Sequence, residues 1–260
     1  MEVYINSITG IDDAICSMFV SRGTLTRELE NEVRRICNAV NDEYGRHYRL
    51  DGIESNNKWI GTLLKDAKAD EEQYNKWLKM LCTWGQKHIT MLRFIDISCT
   101  VYGLHRAGQD DWDAHACRFN NRIIRTSSRI KNIKDETKLQ NMSSYYADKV
   151  LTTDAVLNYL NIEMPQEIHY NEKDYVRAFN GYIVKGSEDN QDVKRGLYNL
   201  GFPSDFVFKV NLTEFAHVYK ERNINGGANP EVKQCCELIC NELMRFQPMF
   251  DRELLRNIQN

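Results

Sequence analysis

The sequence predicts a single α+β domain. Short segments that alternate apolar and polar residues, as strands do, lie between longer segments whose apolar residues recur every three or four positions, as in amphipathic helices. At 260 residues, 42% of them hydrophobic, the chain is long enough to bury a sizeable core. Because no internal repeat, low-complexity tract or linker divides it, we expect residues 1–260 to form one domain.

Three segments are predicted strands. The opening MEVYINSI alternates apolar and polar side chains, and the β-rich segment between Ile89 and Leu104 does so over a longer stretch. A shorter strand is predicted over Phe206–Val210, after a turn at Gly201 and Pro203. These strands supply the sheet of the α+β fold.

Helices are predicted where apolar residues have a period of three to four. In the first helix Leu25, Leu29 and Val33 lie on one apolar face, and Thr24 is a plausible N-cap. The predicted helices are Thr24–Val40, Asp70–Lys87, one that begins at Arg106, Tyr145–Leu160, Glu172–Val184, Asp192–Leu200, Leu212–Arg222 and one that begins at Pro230, a favourable first-turn residue.

Composition and charge exclude several classes of protein. A net charge of -3 argues against a general nucleic-acid coat protein, so no nucleic-acid polymer is expected as a partner. No run approaches the roughly 20 apolar residues that span a bilayer, and the N-terminal MEVYINSITGIDDAIC lacks the basic start and apolar stretch of a signal peptide. The sequence therefore predicts a cytoplasmic protein without membrane contact.

The cysteines are scattered, and no two form a C-x-x-C pair. We expect reduced thiols that mostly fill the core. His115 and Cys117 are close in sequence, but no second pair at ligand spacing completes a zinc site, so no metal is predicted. The eight cysteines are Cys16, Cys37, Cys82, Cys99, Cys117, Cys235, Cys236 and Cys240.

A cationic run lies between Cys117 and Lys134, where the chain has no acidic residue. Its arginines recur at helical spacing, and hydroxyl groups lie between them. Guanidinium and hydroxyl groups donate hydrogen bonds to anionic oxygens, so the run suits a phosphate, with a solvated basic face as the alternative. The residues concerned are Arg118, Arg122, Arg125, Arg129, Thr126, Ser127 and Ser128.

Two short segments carry polar pairs. In DVKRGLY, Asp192 and Arg195 lie one helical turn apart, either as a surface ion pair or as groups that hold a nucleotide. In KHITMLRF, His88 and Thr90 open a predicted strand, where a lone histidine more often has a structural role. Neither pair is specific by itself.

A third polar segment, NLTEFAHVYKER, follows a predicted strand and contains Asn211, His217 and Arg222. Taken alone, it is equally well the polar side of an ordinary helix. The chain has no P-loop or G-x-G-x-x-G motif that would point to another kind of nucleotide site.

Taken in chain order, these segments resemble motifs of the flavin-dependent thymidylate synthases, the ThyX family. That family has an S-R-A-x-x-x-Q-x-x-R-H-R motif, and HRAGQDDWDAHA keeps its spacing. The Arg106–Ala107 pair matches, and His115 falls on the motif histidine. The two arginines that flank this histidine are Ala114 and Ala116 here, and the glutamine is Asp111.

The other motifs follow in the same order. The family's H-x-[ST]-x-x-E-H aligns with HITMLRF, where Arg93 and Phe94 replace the acid and the second histidine. TSSRI resembles the serine and R-Y end of the first motif, with Ser127 and Arg129 as counterparts. E-x-A-R resembles DVKR, and N-x-R-S-L-x-[HN]-F-x-x-x-R resembles NLTEFAHVYKER, with Thr213 in place of an arginine. ANPE echoes a later A-Q-x-E segment, while MEVYINSITG and SRG resemble the opening strand and an A-R-x-S segment.

The resemblance implies a ThyX-like fold, with helices packed around a central, mostly antiparallel sheet, and a homotetramer. It implies an FAD-dependent methyltransferase that modifies C5 of a pyrimidine nucleotide, with dUMP as the first choice. Methylenetetrahydrofolate would give the carbon, reduced FAD would relay it and supply hydride, and NADPH would be the reductant.

The resemblance also implies residue roles. Arg222 would be catalytic, polarising the uracil ring as charge develops, and would bind the substrate as well. The other matching residues divide between the nucleotide and the flavin. Those implied for the substrate are Ser127, Arg129, Asp192 and Arg195, and those implied for the cofactor are His88, Thr90, His115, Asn211 and His217.

The replaced arginines leave a second hypothesis open. Ala114 and Ala116 remove two guanidinium groups that would meet FAD phosphates or substrate, and each charge-assisted hydrogen bond is worth about 1.5–3 kcal/mol. Arg93 and the additional arginines of the cationic run are candidates to compensate. The alternative is a non-catalytic or flavin-free homologue that binds a nucleotide or a protein partner.

Overall fold

The computed structural model describes residues 1–51, 65–115, 122–125, 143, 146–147, 149–179, 181–198 and 200–258. The helices in these ranges are α1 (Ile11–Ser21), α2 (Arg27–Asp51), α3 (Lys65–Gly85), α4 (Arg106–His115), α5 (Thr153–Tyr159), α6 (Gln191–Lys194), α7 (Leu212–Tyr219), α8 (Pro230–Phe246) and α9 (Arg252–Asn257). Two 3₁₀ helices span Ile89–Phe94 and Arg195–Leu197, and a π helix spans Lys220–Ile224. The strands are β1 (Glu2–Thr9), β2 (Asp96–His105), β3 (Arg122–Arg125), β4 (Glu167–Tyr170), β5 (Lys173–Ala178), β6 (Gly181–Val184) and β7 (Pro203–Asn211).

The central sheet has four strands in the order β1-β2-β7-β3, each antiparallel to its neighbours. One line of paired residues crosses it, from Ile5 through Cys99 and Phe208 to Ile123. The first three side chains are buried, and the fourth packs against the same core. Helices covering this antiparallel sheet confirm the predicted α+β fold.

Helix α8 packs on β1 and β2, and α1, α2 and α3 pack on one another beside it. The buried apolar residues of α8 recur at steps of three or four, which places them on one helix face. They are Val232, Cys235, Cys236, Ile239, Cys240, Leu243 and Phe246. No helix in the described ranges is long and apolar enough to cross a bilayer.

The described cysteines are free thiols, as expected. Six of the seven are buried, and Cys82 is half-buried. Burial raises the pKa of Cys37 and Cys82 to about 12 and that of Cys240 to about 11. These thiols therefore stay protonated at neutral pH and act as small apolar groups. Cys117 lies outside the described residues.

The predicted strand Ile89–Leu104 is wrong in its first part. Residues Ile89–Phe94 form a 3₁₀ helix, and β2 begins only at Asp96. The reason is tertiary packing: Leu92 lies so close to Gly85, at the end of α3, that a Cβ there would be 2.5 Å from the Leu92 Cγ atom. The chain turns back on α3 to bury Leu92, and the alternation of the sequence does not reveal that turn.

The predicted helix Glu172–Val184 is also wrong. The structure has β5 and β6 there, and with β4 they form a three-stranded antiparallel sheet in which Tyr175 pairs with Ile168 and Val184. The segment is rich in aromatic and β-branched residues, and its backbone turns at Phe179, which has a φ of +50°. The segment therefore forms paired strands rather than a helix, although its apolar residues have a weak helical period.

The other predicted elements are confirmed with shifted ends, except for Tyr145–Leu160, and the structure adds four elements that were not predicted, α1, α9, β3 and β4. Helix α1 was not predicted, because its short apolar face follows directly on a strand. Of the predicted helix Tyr145–Leu160, the described residues are helical only in α5. Thr152 explains where α5 begins, since its side chain accepts a hydrogen bond from the N–H of Ala155 at 3.2 Å.

We predict that Gly10→Ala destabilises the protein more than Gly226→Ala does. The two glycines have nearly the same left-handed φ, +80° and +78°, but a Cβ at Gly10 would overlap the main-chain oxygen of Phe94, whereas Gly226 faces open space. Left-handed strain costs both variants about 1 kcal/mol, and overlap costs Gly10→Ala about 1–3 kcal/mol more. Urea unfolding of both variants measures the difference, and equal losses would contradict the close approach.

Candidate functional site

Helix α4, which carries the Arg106–His115 segment, is fixed at its first turn by the main chain. The N–H groups of Arg106 and Ala107 donate to the carbonyls of Phe202 and Leu200, both at 3.0 Å. These are N–H groups that lack a partner inside the helix, so the segment before β7 takes the place of an N-cap side chain. The start of α4 is therefore tied to the strand next to β2.

Arg222 reaches α4 from the π helix that continues α7. Its side chain is buried, with 8% exposed, and its Nη2 donates to the main-chain carbonyl of Asp111. Its Nε atom is buried and has no hydrogen-bond partner among the described residues. The next residue of α4, Trp112, is buried against Phe208 of β7, with ring centroids 5.2 Å apart. The structure thus joins two segments that the sequence analysis singled out separately.

Strand β3 brings one arginine of the cationic run to the same helix. Arg125 forms an ion pair with Asp110 and donates to the main-chain carbonyl of Gln109 at 3.3 Å. The expected helical spacing of this run is wrong over β3, where residues three apart point to opposite faces of a strand. The strand forms because it pairs with β7 at the edge of the central sheet.

A second polar surface lies where the first 3₁₀ helix meets α7. Thr90 and Arg93 are exposed, and because a 3₁₀ helix has three residues per turn they lie on one face of it. Glu214 and His217 are half-buried on α7, three residues apart, whereas the other residues of α7 are buried. With exposed His88 just before the 3₁₀ helix, these residues form what we call the 3₁₀–α7 surface.

The 3₁₀–α7 surface contains one acidic and one basic side chain, Glu214 and Arg93. Burial raises the pKa of Glu214, while its hydrogen bond with Asn211 and the charge of Arg93 lower it and only partly offset that effect. Within the described ranges, the Arg93 guanidinium has no hydrogen-bond or ion-pair partner. The surface therefore offers an exposed cation beside hydroxyl and imidazole groups, a donor set that suits an anionic oxygen.

Asn211 has a clear local role at the end of β7. Its side-chain oxygen accepts hydrogen bonds from the N–H of Glu214 at 3.0 Å and from the hydroxyl of Thr213 at 2.6 Å, and it is the N-cap of α7. Asn211 and Thr213 are both buried. Because the oxygen is used by the cap, only the amide NH₂ group of Asn211 is left for a ligand.

The remaining predicted site residues are placed only in part. His115 is the last residue of α4, Asp192 lies on α6, and Arg195 opens the second 3₁₀ helix, but their side chains lie outside the described part of the chain. Ser127 and Arg129 lie wholly outside it. Their roles remain predictions. Across the residues that the structure describes, no three histidine, cysteine, aspartate or glutamate side chains could hold a metal ion.

Sequence reasoning missed the residues that receive the arginines. Asp111 acts through its main-chain oxygen, which no side-chain pattern reveals. Asp110 is one of several acids on α4, and only the position of β3 shows that Arg125 binds it. An acidic helix followed by a separate arginine-rich segment without acids was the available signal for such a pair.

The comparisons with known proteins agree with this architecture. No family model matches the sequence, and no curated relative matches it. Among solved structures, thymidylate synthase X (ThyX) from Helicobacter pylori, crystallised with FAD and dUMP, matches 98% of this chain and 100% of its own, with 11% identity and a TM-score of 0.50. The fold is the ThyX fold. A second crystal structure of the ThyX enzyme from H. pylori, also with FAD and dUMP, has 10% identity over the full length of both chains and a TM-score of 0.48.

We predict that Asn211→Ala lowers the free energy of unfolding by about 1 kcal/mol, the usual cost of losing an N-cap acceptor. Asn211→Ser should cost less, because the shorter hydroxyl can still accept from the N–H of Glu214. Urea unfolding of the two variants tests this. If Asn211→Ser is as unstable as Asn211→Ala, the N-cap hydrogen bond is not the reason why Asn211 is buried at this position.

Proposed function

We propose that this protein is a flavin-dependent thymidylate synthase-like enzyme that modifies C5 of a pyrimidine nucleotide, with dUMP as the substrate. Methylenetetrahydrofolate would supply the carbon and NADPH the reducing equivalents. We propose a cytoplasmic homotetramer in which residues 1–260 form one domain. The observation that supports this most is the hydrogen bond from Arg222 to Asp111 of α4. It joins two segments that resemble ThyX motifs, through residues 111 positions apart, inside a ThyX fold.

Arg222 has the surroundings that a polarising cation needs. It is almost fully buried, so its charge acts in a medium of low dielectric constant. The carbonyl of Asp111 fixes one end of the guanidinium, and the unpartnered Nε leaves a donor directed elsewhere. A guanidinium held in this way can stabilise negative charge that develops on a uracil ring without reorganising. We propose that Ser127, Arg129, Asp192 and Arg195 complete the nucleotide site.

The residues of the 3₁₀–α7 surface fit the chemistry of FAD. Thr90, Arg93 and two imidazoles supply donors for phosphate oxygens. Arg93 is exposed, and its charge also acts on the carboxylate of Glu214. We propose that His88, Thr90, His217 and the Asn211 amide, together with His115, lie along the flavin. When bound, FAD supplies redox and carbon-transfer chemistry that the side chains lack. The chain itself binds, orients and excludes water.

Nucleotide binding without catalysis is the second candidate function. One observation favours it. The two arginines that reach α4 already bind groups of this protein, since Arg125 pairs with Asp110 and Arg222 donates to the carbonyl of Asp111. In addition, Thr213 stands where the ThyX motif that NLTEFAHVYKER resembles has an arginine. Thr213 is uncharged, buried and hydrogen-bonded to Asn211. In this case a nucleotide would bind but no carbon would be transferred.

A direct assay separates the two functions. Purified protein is incubated with FAD, NADPH, methylenetetrahydrofolate and either dUMP or dCMP, and the nucleotides are analysed by mass spectrometry. We expect dUMP to gain the mass of one CH₂ unit, because a methyl group replaces the hydrogen at C5, and Arg222→Ala to abolish that gain. Arg222→Lys should restore little of the activity. An ammonium group keeps the charge but lacks the planar guanidinium whose Nη2 donates to the carbonyl of Asp111.

The colour of the protein gives an independent result. A yellow protein with visible flavin absorbance supports the enzyme, and a protein that stays colourless in an FAD titration contradicts it. If dUMP binds by calorimetry while FAD does not, nucleotide binding without catalysis is the correct function.

We further predict that Arg93→Ala weakens binding of FAD but not of riboflavin. Only FAD carries a diphosphate, and loss of one charge-assisted hydrogen bond worth about 1.5–3 kcal/mol corresponds to at least about tenfold in affinity. Fluorescence titration with both flavins measures the ratio. Arg27→Ala is the matched control, since Arg27 is also exposed and lies on α2. Equal losses for FAD and riboflavin would contradict a phosphate contact at Arg93.

A further inference from the structure

A buried polar cluster lies where β2, α4 and α8 meet. His105, the last residue of β2, bonds through Nδ1 to Oε2 of Glu231 in the first turn of α8. The hydroxyl of Ser143 donates to the same oxygen at 3.0 Å. Each of these three residues is 1% exposed. The other carboxylate oxygen, Oε1, has no hydrogen-bond partner among the described residues.

The carboxylate of Glu231 therefore depends on His105 and Ser143. Burial by itself raises the pKa of Glu231, but the hydrogen bonds from these two residues outweigh it, and the pKa lies below its usual value. A buried carboxylate that stays ionised needs its donors, and removing one is more costly than an average hydrogen bond. Asn229 fixes the same turn, because its side-chain oxygen accepts from the N–H of Glu231 at 2.9 Å.

The imidazole of His105 is held on its other sides as well. The ring of Tyr146 packs edge-on against it, with centroids 5.0 Å apart. Gly108 of α4 lies so close that a Cβ there would be 2.6 Å from Cε1 of His105 and 3.0 Å from Val232 of α8. Helix α4 therefore rests directly on a ring whose position is fixed by Glu231.

Three residues after Gly108, the carbonyl of Asp111 receives the guanidinium of Arg222. The position of this carbonyl is set by the position of α4. We propose that His105 and Glu231 are positioning residues of the nucleotide site: their buried bond fixes α4 so that Asp111 orients Arg222. This inference rests on the proposed function only in naming a nucleotide as the ligand, since the orientation of α4 can be measured without any ligand.

The test compares variants that remove one donor from the same carboxylate oxygen. His105→Leu removes the donor whose ring lies against Gly108 of α4, and Ser143→Ala removes the donor whose main chain bonds to Gly201. Both should lower the free energy of unfolding. His105→Leu should displace α4, whereas Ser143→Ala should not. His105→Asn should restore the position of α4 only in part, because its amide NH₂ can donate from near the position of Nδ1 but the ring atoms close to Gly108 are lost.

Trp112 reports the position of α4, because it lies next to Asp111 and is buried against β7. Protein labelled with 5-fluorotryptophan is examined by fluorine NMR, with Trp112→Phe to assign the resonance. We expect the Trp112 resonance to shift in His105→Leu and to stay in place in Ser143→Ala. If the two variants leave it equally unmoved, or move it equally, His105 has no special effect on α4 and the inference is wrong.

A second variant keeps the test decisive if His105→Leu fails to fold. Gly108→Ala keeps every donor and acceptor of the cluster but places a methyl group against the fixed imidazole, so it should also move the Trp112 resonance. An unshifted resonance in a folded Gly108→Ala protein would overturn the inference.

Calorimetry with dUMP then links α4 to the ligand. We expect about tenfold weaker dUMP affinity for His105→Leu, the loss of one misoriented charge-assisted hydrogen bond. His105→Asn should have intermediate affinity and Ser143→Ala near wild-type affinity. If the wild-type protein does not bind dUMP, the proposed function fails, while the fluorine resonances still decide whether His105 positions α4. If wild type binds dUMP and His105→Leu binds it equally well, the positioning role is wrong and the proposed function stands.

Discussion

The antiparallel pairing of β2 with β7 is the constraint on which the rest of the site depends. It places Asp96 opposite Asn211 at one end of the sheet and His105 opposite Pro203 at the other. Helix α4 starts from the His105 end and α7 from the Asn211 end. The hydrogen bond from Arg222 to the main-chain carbonyl of Asp111 joins the segments that follow these two ends.

This geometry explains how the chain supplies positive charge around α4 although two motif arginines are alanines. Arg125 arrives from β3 because that strand pairs with β7, and Arg222 arrives from the π helix because α7 begins where β7 ends. Neither arginine is on α4 itself. Both guanidinium groups reach α4 from neighbouring elements, and that of Arg125 is paired with the carboxylate of Asp110.

A similar exchange occurs at the other end of the sheet. Arg93 stands where the resembling motif has an acid, and Glu214 lies close enough for the charge of Arg93 to lower its pKa. Thr213, which stands where an arginine is usual, is buried and bonds with Asn211 instead. The positive charge at this junction comes from Arg93 of the 3₁₀ helix rather than from position 213 of α7.

The sequence by itself determined the elements that depend on near neighbours. The three-to-four period predicted the helices that became α2 and α3, alternation predicted β1, and the mixture of the two patterns predicted the α+β fold. Only the tertiary structure decided that Ile89–Phe94 turns back on α3, that Glu172–Val184 is a hairpin, and that Arg222 and His105 both act on α4. The physical reason is that periodicity reports which side of an element is buried, whereas a contact between residues more than a hundred positions apart depends on which strands pair and at which register.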